Sequence, residues 1–268
     1  MGFHRSVTTI GLFTLLSRLL GFVRDLLTAT LLGAGPIADA FVVAQRLPYA
    51  FRAFFAEGAI DTSFVPVYAT KLHQEGPAKA ELFARQIFTL IILVLVPFTV
   101  LSIIFMPHIV TLLAPGFKHD GERFPLAVMY TRITFSYLIL ISITALQGTL
   151  LNAHGKFSPG ALAQIALNIV MIVGLLLAWG LGLDIGRTGC WAMIAGGIVQ
   201  LVMLYIFCRR QKIFPLHFTS SLWSKDVKRF LRLLGPGIAV TSSLQIYVVL
   251  STILASTLPA GAVSALYY

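Results

Sequence analysis

Charged residues are scarce in this sequence. Asp, Glu, Lys and Arg make up 11% of its 268 residues, while 57% of the residues are hydrophobic. A soluble domain carries about 25% charged residues. The hydrophobic residues come in blocks of about twenty or more, which is too long for the strands of a membrane β-barrel. We therefore exclude a soluble globular protein and predict an all-α, polytopic membrane protein.

Cysteines and catalytic motifs are equally scarce. The two cysteines, Cys190 and Cys208, lie in or at the end of one apolar block and indicate neither a disulfide framework nor a metal site. The sequence contains no HExxH, GxSxG or Asp-rich metal motif. We therefore expect no enzyme, no metal and no cofactor. His108 and His154 lie near the ends of predicted spans, and we interpret both as interfacial residues without partners.

Seven complete membrane spans and the start of an eighth are predicted. The second is too long for one straight crossing, and we expect Pro48 and Pro66 to kink it. The predicted spans cover residues 7–32, 38–70, 86–113, 125–152, 159–183, 189–208 and 230–258, and the eighth begins near 261.

The basic residues orient these spans. With the N-terminus in the cytoplasm, 12 of the 20 Lys and Arg lie in cytoplasmic segments, 3 on the opposite face and 5 within spans. The net charge of +10 therefore mostly reflects the basic residues that orient the spans in the membrane, and it does not indicate a nucleic-acid partner. We expect the basic segment 209–232 to lie on the anionic lipids of the inner leaflet.

Two short segments resemble each other. "TLLGAGPIADA" (30–40) ends the first span, and "TLPAGAVSA" (257–265) ends the seventh. Six helices would separate two copies in the same orientation, as in transporters built from parallel repeats. The alternative is chance, because Gly and Ala are common in membrane loops.

Charged residues interrupt the first two spans, although each costs about 2.5–3.5 kcal/mol at the centre of a membrane helix. Their summed cost would exceed a small domain's stability of about 5–15 kcal/mol, so we expect them to face each other or a hydrated cavity. They are Arg18, Arg24, Asp25, Asp39, Arg46, Arg52, Glu57 and Asp61.

Arginines outnumber the central acids in this set. A surplus of guanidinium groups suits a multi-oxygen anion such as phosphate or diphosphate, which arginine binds bidentately. The alternative is structural ion pairing of Arg24 near Asp25, of Arg52 with Glu57, and of Asp39 with Arg46. For Asp61 and for Arg132, in the fourth span, we favour a structural or interfacial role.

Several motifs resemble the MurJ/MviN family of lipid II flippases, in the MOP transporter superfamily. These are "SRLLGFVRD" (17–25), "GAGPIADAF" (33–41) and "LPYAFRAFFAEGAIDTSFVPVYA" (47–69), supported by "GTLLNAHGKFSP" (148–159) and "LGPGIAVTSSLQI" (234–246). The resemblance covers essentially the whole chain. It implies two six-helix lobes around a cationic cavity, and outward movement of undecaprenyl-diphosphate-linked peptidoglycan precursor by alternating access in a bacterial cytoplasmic membrane.

The resemblance also assigns site residues. Arg18, Arg24 and Arg52 match the family's diphosphate contacts, and Arg46 stands where the family often has lysine. The matching acids, Asp25, Asp39 and Glu57, would hold those arginines and help to form gates.

A complete family member has fourteen spans, so we expect this chain to be a fragment. Its expected parts are a six-helix lobe (1–210), a cytoplasmic amphipathic linker (211–229) and the start of a second lobe (230–268). Alternatives are a flippase for another polyprenyl-linked glycan, a drug exporter, a membrane enzyme acting on polyprenyl phosphates, or an inactive or scaffolding chain among cell-wall synthesis proteins.

Overall fold

A computed structural model gives the fold of residues 2–55, 59–213 and 216–268. Side chains are described throughout these ranges except at 2–10, 53–55, 59, 61 and 238–244. The predicted site residue Glu57 and the side chain of Asp61 therefore lie outside the described part of the chain.

Helices and turns make up the described ranges, which contain no strand, so the all-α prediction is confirmed. A 3₁₀ turn, Pro115–Phe117, lies between α5 and α6. The α-helices are α1 Gly2–Leu32, α2 Pro36–Phe55, α3 Ala59–Gln74, α4 Pro77–Ile104, α5 Met106–Leu113, α6 Arg123–Phe135, α7 Tyr137–Ala153, α8 Ser158–Gly180, α9 Ile185–Arg210, α10 Lys225–Ser256 and α11 Ala262–Tyr267.

Four helical stretches of the described chain are long and apolar enough to cross a membrane: Pro77–Ile104, Arg123–Ala153, Ser158–Gly180 and Ile185–Arg210. The second of these consists of α6 and α7, which Ser136 separates. The predicted second span corresponds to α2 and α3, and Pro48 and Pro66 lie inside these helices. Helices α1 and α10 occupy the first and seventh predicted spans.

Helices α8 and α9 pack closely because α9 presents glycine at the contact. A Cβ atom on Gly196 would lie 2.5 Å from Cδ1 of Leu167 on α8, and one on Gly197 would lie 2.7 Å from the Tyr137 ring on α7, so α9 packs closely against both helices. Small residues allow membrane helices to approach at backbone distance. On its other side α8 contacts α1, where Asn168 Nδ2 donates to the Ser17 carbonyl at 3.0 Å.

The start of α10 is held against α3 and α4. Ser224 caps α10 by accepting from the Val227 N–H at 3.2 Å, and its hydroxyl also bonds to Gln86 Oε1 at 3.1 Å. Lys71 forms an ion pair with Asp226 at 2.7 Å. Helix α10 therefore begins inside the predicted linker 211–229, and we refer to these contacts as the α10 clamp.

We predict that Gly196→Leu destabilises the fold by about 1–3 kcal/mol, because the added side chain must displace Leu167 in a close-packed contact. Thermal unfolding in detergent measures the effect. Gly180→Leu is the control, since a Cβ at Gly180 meets no atom within 4 Å. Equal melting temperatures for the two variants would contradict the prediction.

Candidate functional site

A buried carboxylate joins α2 to the start of α11. Asp39, in the first turn of α2, has no solvent exposure. Its oxygens accept from the Gly261 N–H, the Ser264 N–H and the Ser264 hydroxyl, each at 2.8 Å. The carboxylate thus holds the start of α11 against the start of α2.

Arg123 supplies positive charge beside Asp39. One of its terminal nitrogens lies 3.6 Å from the Asp39 carboxylate and donates to the Leu258 carbonyl at 3.2 Å. Its Nε donates to Asp120 at 2.6 Å. Hydrogen bonds from the Arg123 backbone and side chain and from the Glu122 N–H lower the pKa of Asp120 to about 2. We name this set (Asp39, Asp120, Arg123, Gly261 and Ser264) the Asp39 cluster.

The two segments that resemble each other in sequence meet at this cluster. Helix α2 begins one residue after Gly35, and α11 begins one residue after Gly261. A Cβ on Gly261 would lie 3.3 Å from the carbonyl of Ala34, so the two turns pack directly together. Gly261 adopts φ +96°, a left-handed conformation that glycine adopts without strain. The similar segments 30–40 and 257–265 therefore lie in contact.

Arg24 is held by two neighbours. Its Nε and one terminal nitrogen donate to Oδ1 of Asp25 at 3.0 and 2.8 Å, and its other terminal nitrogen donates to Asn168 Oδ1 at 2.9 Å. Asp25 therefore forms an ion pair with Arg24. Arg18 lies exposed about 9 Å earlier along α1.

Arg46 and Arg52 lie against aromatic rings. The Arg46 guanidinium lies 5.3 Å from the ring centroid of Tyr267 and donates to the Thr252 hydroxyl at 2.8 Å. The Arg52 guanidinium lies 5.1 Å from the ring centroid of Tyr49.

Tyr267 brings α11 into the same site. Its ring lies against the Arg46 guanidinium, and Arg24 and Asp25 of α1 lie near enough to its hydroxyl to interact with it electrostatically. We call the set Arg24, Asp25, Arg46, Tyr49, Arg52 and Tyr267 the arginine cluster.

The structural ion pair given as an alternative for Asp39 and Arg46 does not form. Asp39 and Arg46 lie seven residues apart on α2, a separation of about 10 Å along the helix axis. At that distance each finds partners on other helices: Asp39 on α11 and near Arg123, and Arg46 on α10 and α11. Asp39 therefore holds none of the predicted cavity arginines.

The sequence analysis did not identify several site residues. Arg123 was counted there only among the three basic residues on the face opposite the cytoplasm, and Ser264 and Tyr267 received no role. The similarity between 30–40 and 257–265 was the available signal for Gly261 and Ser264. Asn168 and Thr252 gave no signal, because single polar residues are common in membrane helices.

His154 has a partner, contrary to the sequence interpretation. Its Nε2 lies 3.0 Å from the Tyr68 hydroxyl, and the two rings meet edge to face at 5.8 Å. Burial lowers the pKa of His154 below its usual value of about 6.5.

The fold is that of MOP-superfamily transporters. An inward-facing multidrug resistance MATE family transporter of that superfamily superposes with a TM-score of 0.73 at 19% identity, over 92% of this chain and 56% of that one. A solved structure titled lipid II flippase MurJ, inward closed conformation, superposes with a TM-score of 0.80 at 25% identity, over 97% of this chain and 53% of that one.

The profile of the family described as lipid II flippase MurJ matches residues 28–268. The probable lipid II flippase MurJ of Rhizobium meliloti (strain 1021) is 36% identical over 100% of this chain and 50% of its own length. The lipid II flippase MurJ of Burkholderia cenocepacia is 34% identical over 100% of this chain and 52% of its own length. The chain belongs to the MurJ family, whose members are multi-pass membrane proteins, and it spans about half the length of these relatives.

We predict that Asp39→Asn lowers the free energy of unfolding by about 1–3 kcal/mol, because an amide has a single acceptor oxygen and leaves donors on α11 without a partner. Thermal unfolding measures the loss. Glu122→Gln, an exposed substitution at the same end of the bundle, is the control and should leave the melting temperature unchanged. A similar result for both variants would mean that the carboxylate contributes little.

We also predict that stability falls as the pH drops through about 6.5. His154 has a lowered pKa when folded, so the unfolded chain binds the proton more readily and protonation favours unfolding. Melting temperatures at pH 7.5 and 5.5 measure the slope. His154→Asn should flatten it and exposed His119→Asn should not. An unchanged slope in His154→Asn would refute the assignment.

Proposed function

We propose that the protein acts as a flippase for lipid II, moving this undecaprenyl-diphosphate-linked peptidoglycan precursor from the inner to the outer leaflet by alternating access. The observation that carries the proposal is the arginine cluster, where α1, α2 and α11 meet. Three arginines share that site with one acid, Asp25, in the described part of the chain. Membership of the MurJ family supports the choice of substrate.

The cluster has the chemistry to bind a diphosphate. Asp25 and Asn168 fix the guanidinium of Arg24, so little side-chain freedom is lost when an anion binds. The aromatic ring beside Arg46 stabilises its guanidinium plane without neutralising its charge, and the Arg52 guanidinium lies against the Tyr49 ring. We propose Arg18, Arg24, Arg46 and Arg52 as the diphosphate ligands.

The Asp39 cluster is proposed as the gate at the other end of the site. It joins α2 to α11, so separating these helices requires the Asp39 hydrogen bonds to break. We propose that the N-terminus is cytoplasmic. The gate would then lie at the outer face, and we propose that it is closed in this structure, where the Asp39 hydrogen bonds are formed. The matching solved MurJ structure is titled inward closed, which is compatible with that assignment.

We propose the same division of the chain as the sequence suggested: a first lobe (1–210), a linker (211–229) and the start of a second lobe (230–268). Glu57 is proposed to pair with Arg52.

Because the substrate is used at the outer face, we further propose proteins of cell-wall synthesis as partners. A flippase for another polyprenyl-linked glycan is the alternative, since the arginine cluster would bind the diphosphate of either substrate.

The test is complementation of cells depleted of their own lipid II flippase. The chain, extended by the second half of the Rhizobium meliloti relative, should restore growth. Arg24→Ala and Arg52→Ala versions should not, because each removes a cation from the diphosphate site. Arg132→Ala is the matched control: Arg132 is exposed and its Nε donates to the Ile103 carbonyl, outside the cluster.

Membrane levels of all variants are compared by immunoblotting. Growth with every arginine variant would refute diphosphate binding by the cluster. Failure of the parent at normal membrane levels would contradict lipid II as the substrate.

A further inference from the structure

A polar cavity lies beside the arginine cluster, between α2, α7, α8 and α9. Its volume is about 180 Å³. At about 30 Å³ per water molecule, that is the space of roughly six waters, or of one sugar ring. Gly160, in the first turn of α8, lines it and is exposed, so the cavity opens at the end of the bundle that carries the α7–α8 turn.

Two glycines keep this space open. A Cβ on Gly148 or on Gly160 would meet no atom within 4 Å. These glycines differ from Gly196 and Gly197, which allow two helices to touch. No packing contact explains the missing side chains at Gly148 and Gly160.

The lining carries neutral hydrogen-bonding groups, among them the amides of Asn152 and Gln164. The hydroxyl of Thr144 is buried, faces this lining and has no hydrogen-bond partner in the described part of the chain. Buried polar groups are nearly always hydrogen-bonded, so this wall is suited to a polar guest.

Arg52 belongs to both the cavity lining and the proposed diphosphate site. Its side chain lines the cavity, and its guanidinium lies over the Tyr49 ring of the arginine cluster. A group attached directly to a diphosphate at the cluster would therefore lie next to the cavity.

We infer that this cavity binds the first amino sugar of the substrate, the N-acetylated pyranose attached to the diphosphate. The inference rests on the proposed function. Hydroxyl and acetamido groups of such a sugar can donate and accept, as amide and threonine side chains require. A second phosphate is disfavoured because Arg52 is the single basic residue in the lining, and a lipid chain is disfavoured because six of the twelve lining residues carry polar side chains.

The experiment compares two probes that differ only in the sugar: undecaprenyl diphosphate, and undecaprenyl diphosphate carrying N-acetylglucosamine. The 268-residue chain is placed in lipid nanodiscs, and bound probe is measured by native mass spectrometry. Gly148→Leu, which fills the cavity, should weaken binding of the sugar-bearing probe by about tenfold and leave undecaprenyl diphosphate within about twofold.

Two further variants separate the sugar site from misfolding and from loss of diphosphate binding. Thr144→Val keeps the side-chain volume and removes the hydroxyl, and it should weaken the sugar-bearing probe alone by about fivefold. Arg24→Ala should weaken both probes. Gly235→Leu is the control, because Gly235 is a helical glycine in open space outside the cavity lining.

The other outcomes overturn the inference, and they show whether the sugar site alone fails or the diphosphate site fails with it. If Gly148→Leu and Thr144→Val weaken both probes equally or neither, the sugar does not bind in this cavity, while the diphosphate site still stands. If the parent chain binds neither probe, the proposed function fails together with the inference.

Discussion

The carboxylate of Asp39 is the interaction on which the rest of the site depends. Burying a charge is costly unless it is hydrogen-bonded and paired, and Asp39 meets both conditions with donors from the start of α11 and with Arg123 nearby. Helix α11 also carries Tyr267, three residues after Ser264. The ring of Tyr267 lies against the Arg46 guanidinium. The same short helix therefore completes both clusters. Without the Asp39 contacts, no described hydrogen bond would fix the start of α11 against α2.

The arginine cluster also places charges in an apolar region, but its charges are compensated differently from that of Asp39. Several cations cannot lie together in a region of low dielectric constant without compensation. Arg24 has an acid beside it, whereas Arg46 lies against an aromatic ring that stabilises a cation and leaves its charge in place. Arg52 also lies against a ring, that of Tyr49. Under the proposed function, an anion completes the site. This explains why polar residues interrupt α1 and α2 when the surrounding sequence is apolar.

The sequence predicted the helices well, because they follow from long apolar runs. It did not predict which arginines are buried: Arg18 is exposed, and the buried arginine of the described chain, Arg123, received no role. It predicted partners poorly. Spacing along α2 suggested that Asp39 and Arg46 pair, but a helix 222 residues further along the chain supplies the Asp39 donors. The start of α10 at Lys225 depends on a cap at Ser224 that the basic composition of the segment conceals. The polar cavity depends on missing side chains at Gly148 and Gly160, which one sequence does not distinguish from packing glycines.

The start of α10 and the start of α11 are held by contacts of different physical character. At the α10 clamp, Lys71 pairs with Asp226, whose side chain is 29% exposed, so dissolved ions reach the pair and weaken it. At the start of α11 the carboxylate of Asp39 has no exposure, and mobile ions screen such a contact far less. Releasing α11 requires water to enter and solvate a carboxylate and two backbone N–H groups. Ionic strength therefore acts on the start of α10, and water entry limits the release of α11.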